Sequence, residues 1–212
     1  MRASTGKGIV VPGTNRIARR FALYGVAFVV TMLIVFPEVN QIVAATGTDP
    51  CAVRMPHGLA TQLLKRFYGV RLPSYPDSSE IDVQGDKNGG GTGCLLVATG
   101  DFDGDGFEDV AVLLPSKKSG GSTILVAARR RPGGGWLIDE LRSWESGPRG
   151  LFVSTVPPGE YTTTEVVQGG SEPNEVTKFV ARNPGVLSGL TEASGVAYFW
   201  DGSKWVHVWV SD

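Results

Sequence analysis

The chain has only two cysteines and two histidines among its 212 residues, and each shortage removes a class of chemistry. Cys51 and Cys94 have no second cysteine or histidine at ligand spacing, which excludes a zinc finger or ribbon. His57 and His207 stand far apart in sequence, in different predicted elements. There is no Gly-x-Ser-x-Gly elbow, no His-Glu-x-x-His helix and no phosphate-cradling glycine loop. The expectation is therefore a protein that is not an enzyme. Excess positive charge is also missing. Beyond residue 45 the chain carries 15 basic against 20 acidic residues, which argues against nucleic acid as a partner. The only basic cluster, Arg129-Arg130-Arg131, adjoins the turn Pro132-Gly133-Gly134-Gly135 and reads as a solvated hairpin end.

Negative charge, in contrast, is concentrated. Asp101-Phe102-Asp103-Gly104-Asp105-Gly106-Phe107-Glu108-Asp109 holds five carboxylates in nine positions and leads directly into Val110-Ala111-Val112-Leu113-Leu114. Two such charges about 5 Å apart repel by roughly 1 kcal/mol in bulk water and about 3 kcal/mol at an effective dielectric of 20. A folded loop with several such pairs needs a positive centre. Carboxylates at alternate positions converge when the backbone curls, Gly106 permits the sharp turn, and the Phe107 carbonyl can then face inward. Hard oxygen donors in that number suit Ca²⁺ rather than a transition metal. An EF-hand would need a glutamate at position 12, followed by a helix. Position 12 is Val112, and the flanks Cys94 to Thr99 and Val110 to Leu114 read as short buried strands. The last ligand is then Asp109.

Thr99-Gly100-Asp101-Phe102-Asp103-Gly104-Asp105-Gly106, followed by Asp109-Val110-Ala111-Val112, resembles the calcium loop of FG-GAP/VCBS-type repeats, found also in integrin alpha-subunit propellers. The resemblance implies a structural calcium ion between two antiparallel strands. Its ligands would be Asp101, Asp103, Asp105, the Phe107 carbonyl and Asp109. It covers roughly 20 residues, and the motif occurs once. Propellers repeat such units blade after blade, so here the loop is set into a smaller domain.

Residues 1 to 20 are polar and basic, and Phe21 to Phe36 is an unbroken apolar run of 16 positions. Val43-Ala44-Ala45 then offers small residues for cleavage. The segment 1–45 reads as a secretory signal peptide or as an N-terminal membrane anchor, with contact to the membrane only through residues 21–45 if uncleaved. Both readings put residues 46–212, a single domain, outside the cytoplasm: periplasmic, secreted or tethered at the surface. In that compartment Cys51 and Cys94 are expected to form one disulfide, two buried free thiols being the other reading. The bridge would close a loop of about 44 residues, for which chain entropy gives roughly 4 kcal/mol.

Leu59, Leu63, Leu64 and Phe67 recur at helical spacing and predict one helix, about His57 to Tyr68, packed on a sheet. Val70 to Gly93 reads as loop with a short strand at Glu80 to Val83. Strands are predicted at Ser122 to Arg129, Trp136 to Arg142, Leu151 to Val153, Tyr161 to Val167 and Val176 to Ala181, with a loop around Asn183-Pro184-Gly185. The clearest hairpin is Val196 to Trp200, Asp201-Gly202-Ser203-Lys204, Trp205 to Val210. The sum is a mainly β fold, an antiparallel sheet or meander of about 7–9 strands with one packed N-terminal helix. The period-two stripe of Trp200, Trp205 and Trp209 reads as core or, if exposed, as a binding surface for carbohydrate or an envelope protein. The functional expectation is an exported calcium-binding module with a structural or binding role. A secreted hydrolase with a structural calcium site is the alternative.

Overall fold

A computed structural model describes residues 48–164 and 172–211. The predicted signal or anchor over residues 1–45, and the end of the strand predicted to reach Val167, lie outside the described residues. Among the described residues no helix is long and apolar enough to cross a membrane.

The fold is mainly β: among the described residues there are ten strands, all paired antiparallel, and three short α-helices. Helices α1 (Pro50–Val53), α2 (His57–Arg66) and α3 (Glu80–Asn88) precede the sheets. Strands β1 (Val97–Gly100), β2 (Asp109–Pro115), β3 (Thr123–Arg130) and β4 (Trp136–Trp144) form a meander in sequence order. Strands β5 (Leu151–Val156), β8 (Gly185–Leu190), β9 (Gly195–Trp200) and β10 (Trp205–Ser211) form a second sheet, ordered β10-β9-β8-β5. A two-stranded ribbon, β6 (Gly159–Thr162) and β7 (Lys178–Ala181), completes the set. The two larger sheets meet where β1 approaches β5. There the Val153 N–H donates to the Leu95 carbonyl at 2.8 Å and the Thr155 hydroxyl to the Thr99 carbonyl at 2.8 Å.

One core joins both sheets to α1 and α2, through Cys51, Leu59, Leu63, Leu113, Leu125, Val186 and Tyr198. Every residue of β2 is buried, which is why its sequence after Asp109 is an unbroken apolar run rather than an alternation. Strand β9 is buried on both faces. Val196 and Tyr198 enter the main core, while Ala197 and Phe199 enter a smaller cluster with Ala181 and Val206. Helix α2 buries Leu59 and Leu63 as the spacing predicts, but Leu64 turns outward at 42% exposure. It stops at Arg66, two residues before its predicted end, because Phe67 is already extended and Gly69 takes a positive φ of 89°.

Two segments differ from the sequence reading. Glu80 to Val83, expected as a strand, opens α3. The Ser79 hydroxyl accepts the Asp82 N–H at 3.3 Å, and Glu80 and Asp82 stand in the first turn with Lys87 in the last. That capping and charge order stabilises a helix over a strand. Gly185, expected within a loop around Asn183-Pro184-Gly185, instead begins β8, an interior strand at Gly185–Leu190 that the sequence reading did not assign. Its glycines answer neighbours in space. A Cβ at Gly185 would come within 2.3 Å of the Phe199 ring, and one at Gly189 within 1.9 Å of the Ser194 carbonyl.

Cys51 and Cys94 form a disulfide with a Cα–Cα distance of 5.0 Å, and both are buried. It ties α1 to the segment that enters β1. Reduction should lower the melting temperature by about 10 °C, from roughly 4 kcal/mol of chain entropy spread over a domain of this size. Thermal melts with and without reductant, and of a Cys51→Ser/Cys94→Ser variant, check this. Coincident melts contradict it.

Candidate metal centre

The Asp-rich loop connects β1 to β2, paired in register with Gly100 opposite Asp109 and Val97 opposite Val112. Its shape is set by its own carboxylates. Asp101 Oδ1 accepts the N–H groups of Gly104 at 2.8 Å and Asp105 at 3.0 Å, and Oδ2 accepts that of Gly106 at 3.0 Å. Asp105 Oδ1 accepts the Phe107 N–H at 2.9 Å. The curl requires positive φ at Gly104 (78°) and Gly106 (86°). Gly104 is doubly constrained, since a Cβ there would lie 2.5 Å from the Asn183 side chain.

Two residues fasten the loop to the body of the protein. Phe102 is fully buried and meets the Trp205 ring edge to face, with centroids 6.3 Å apart. Asp109 is also fully buried. Its Oδ2 accepts the Phe102 N–H at 2.9 Å, and its Oδ1 accepts the Arg130 N–H at 2.7 Å. One carboxylate therefore holds the start of the loop, the start of β2 and the end of β3.

Asp101, Asp103 and Asp109 each present a carboxylate oxygen within 4.8 Å of the others. Asp105 lies outside this group, exposed, with its carboxylate turned to the Phe107 amide. The Phe107 side chain is 37% exposed, with the Arg130 guanidinium 6.0 Å from its ring centre. Oxygen is the only donor type in the cluster, which fits a hard divalent cation such as Ca²⁺. Charge makes the same case. Burial pushes the Asp109 carboxyl up to about 6, against the pull of the Arg130 and Phe102 amides, with the Asp103 and Asp105 charges adding to the rise. Asp103 is also raised, by burial first and then by the charge of Asp105. At both residues burial, with neighbouring negative charge adding to it, outweighs what their hydrogen bonds return to the ionised form.

Among the described residues, the cation paired with the cluster is one that the sequence reading set in solvent. Arg129 is buried, with one guanidinium nitrogen 3.6 Å from Asp103 Oδ2, another 3.1 Å from Asp139 Oδ2, and its carbon 3.4 Å from the Trp200 ring centre. Arg130 and Arg131 are exposed, as expected for a hairpin end. Strand alternation gave no signal for this, because Val126 and Ala128 on the opposite phase of β3 are as buried as Leu125 and Ala127.

The tryptophan stripe packs against the core, with Trp205 buried and Trp200 and Trp209 half-buried. Trp205 is buried, donates its indole N–H to Asp139 at 3.1 Å and meets Trp200 edge to face at 5.8 Å. Trp200 is half-buried beneath Arg129, and Trp209 is half-buried beside Arg142, 4.8 Å from its ring centre. The hairpin register, Trp205 opposite Trp200 and His207 opposite Tyr198, directs the stripe into the main core. The two histidines are far apart in role as well. His57 is exposed, whereas His207 is buried with Nε2 3.3 Å from Glu172, and burial holds its pKa below the usual imidazole value.

Asp109 gives a pH signature in the absence of metal. A carboxyl raised on folding contributes stability that is fully present below its unfolded value near 3.8 and is lost as pH rises through about 6. In chelator, this group should cost on the order of 2–3 kcal/mol between about pH 4 and about pH 7. Asp109→Asn should remove that component, measured as the difference between wild-type and variant denaturation curves across this range. A constant difference contradicts the assignment. No protein-family model, curated protein or solved structure matches the chain.

Proposed function

We propose that this chain is an exported calcium-binding module of the FG-GAP/VCBS type, with a structural or binding role at the cell surface or in the periplasm. The observation that carries the reading is the convergence of Asp101, Asp103 and Asp109 to within 4.8 Å, with Asp109 buried in the body of the fold. Calcium is held by the carboxylates of Asp101, Asp103 and Asp109, with Asp105 and the Phe107 carbonyl completing the set by the motif's logic. Bound there, the ion supplies charge neutralisation. The protein's own part is to present oxygens on a loop already curled by main-chain hydrogen bonds to Asp101, so little ordering is left for the binding step.

The consequence is mechanical. A neutralised loop keeps β1 and β2 in one register, and Asp109 passes that restraint to β3 through the Arg130 amide. The Cys51–Cys94 disulfide supports export, because such bonds persist in oxidising compartments. There, calcium at 10⁻⁴ to 10⁻³ M suffices for an extracellular-type site.

Calcium at about 100 times its dissociation constant should add roughly 2.7 kcal/mol, raising the melting temperature by about 5 to 10 °C over the chelated protein. Asp103→Ala/Asp105→Ala should abolish the rise while leaving the chelated protein folded. Identical melts in calcium and chelator for the wild type contradict the proposal.

A further inference from the structure

A cleft of about 870 Å³ opens between α3, the segment entering β1, and β5, on a part of the molecule that the metal loop does not use. Its size lies within the roughly 300–1,000 Å³ typical of small-molecule sites. Three large apolar side chains line it: Ile81, Leu95 and Phe152. None belongs to either core cluster or packs against one, and Ile81 is 84% exposed. Their apolar surface has no partner in the protein core. Helix α3 buries a single residue, Val83, and turns Ile81, Asp82, Gly85 and Asp86 to the cleft.

The polar lining has a definite sign. Asp82 and Asp86 stand one helical turn apart, a like-charge spacing that weakens a helix by about 0.2–0.5 kcal/mol. Glu192 lines the same cleft. Among the described residues none of the three acids forms an ion pair. Asp86 accepts only the Gly93 amide, at 2.7 Å. The one lining cation, Arg54, is held by the hydroxyls of Thr92 at 3.2 Å and Thr99 at 3.5 Å. Three carboxylates thus face one guanidinium. Gly85 adds an independent mark. A glycine inside a helix costs about 1 kcal/mol relative to alanine, yet a Cβ at Gly85 would meet nothing within 4 Å. The protein's own packing does not ask for glycine there, whereas a ligand lying against the helix backbone would.

We infer that this cleft binds a small organic cation with an apolar body, the body against Ile81, Leu95 and Phe152 and the cationic head among Asp82, Asp86 and Glu192. The site stands apart from calcium binding and does not rest on it. The test titrates the full chain by calorimetry with three size-matched probes: 2-phenylethylammonium, 3-phenylpropanoate and 2-phenylethanol. The cation should bind at least about tenfold more tightly than the anion or the alcohol, the difference that roughly 1.4 kcal/mol of charge complementarity gives. Asp82→Asn/Asp86→Asn should erase that preference. Gly85→Leu should block the cation while raising the melting temperature, a combination that damage to the fold cannot produce. Equal binding of the three probes, tighter binding of the anion through Arg54, or full cation binding by the Gly85→Leu variant each overturns the inference, as does the absence of cation binding by the wild type.

Discussion

Asp109 places a carboxylate where water does not reach it, and its two oxygens take the main-chain amides of Phe102 and Arg130. Those amides belong to the start of the acidic loop and to the end of β3. A single side chain therefore sets where the loop leaves the sheet, where β2 begins and how β3 ends. Burying that charge is expensive, and the two amides offset only part of the cost, which is why the carboxyl is pushed up to about 6. The rest of the site can be understood as the management of this one buried negative charge and of the two carboxylates brought beside it.

Arg129 is the protein's own contribution to that balance. It sits over the Trp200 ring, bonds to Asp139, and reaches toward Asp103 at 3.6 Å. Asp139 in turn accepts the Trp205 indole, and Trp205 meets Phe102 inside the loop. Aromatic residues of the C-terminal hairpin thus support the acidic loop from behind, which gives the tryptophan stripe a structural purpose. One cation shared between Asp103 and Asp139 does not neutralise three clustered acids, and in the proposed reading a divalent ion would supply the remainder.

Local chemistry was legible, while long-range chemistry was not. The Asp loop, its turn glycines and the β9–β10 hairpin around Asp201-Gly202 depend on residues a few positions apart, so spacing alone locates them. The disulfide followed from compartment and count, helped by the absence of any other cysteine. Strand β8 was hidden because Gly185 and Gly189 look like turn residues, and their reason lies in the Phe199 ring of β9 and in the Ser194 carbonyl just ahead of that strand. Helix α3 was hidden among glycines, prolines and serines, although Ser79 and the acids after it carried a cap signal. Arg129 read as a solvated charge because Trp200 and Asp139, which bury it, are distant in sequence. Asp105 accepts the Phe107 amide and stands outside the group formed by Asp101, Asp103 and Asp109, a detail that alternation along the loop does not reveal.

The central claim is that three converged aspartates and the loop around them need a divalent ion. Equilibrium dialysis of the full chain against labelled calcium tests it most directly. The account predicts saturable binding of one ion per chain, half-saturated at or below about 10⁻³ M, and abolished by Asp101→Asn/Asp103→Asn. Absence of saturable binding at such concentrations, or binding that survives the double substitution, would contradict it.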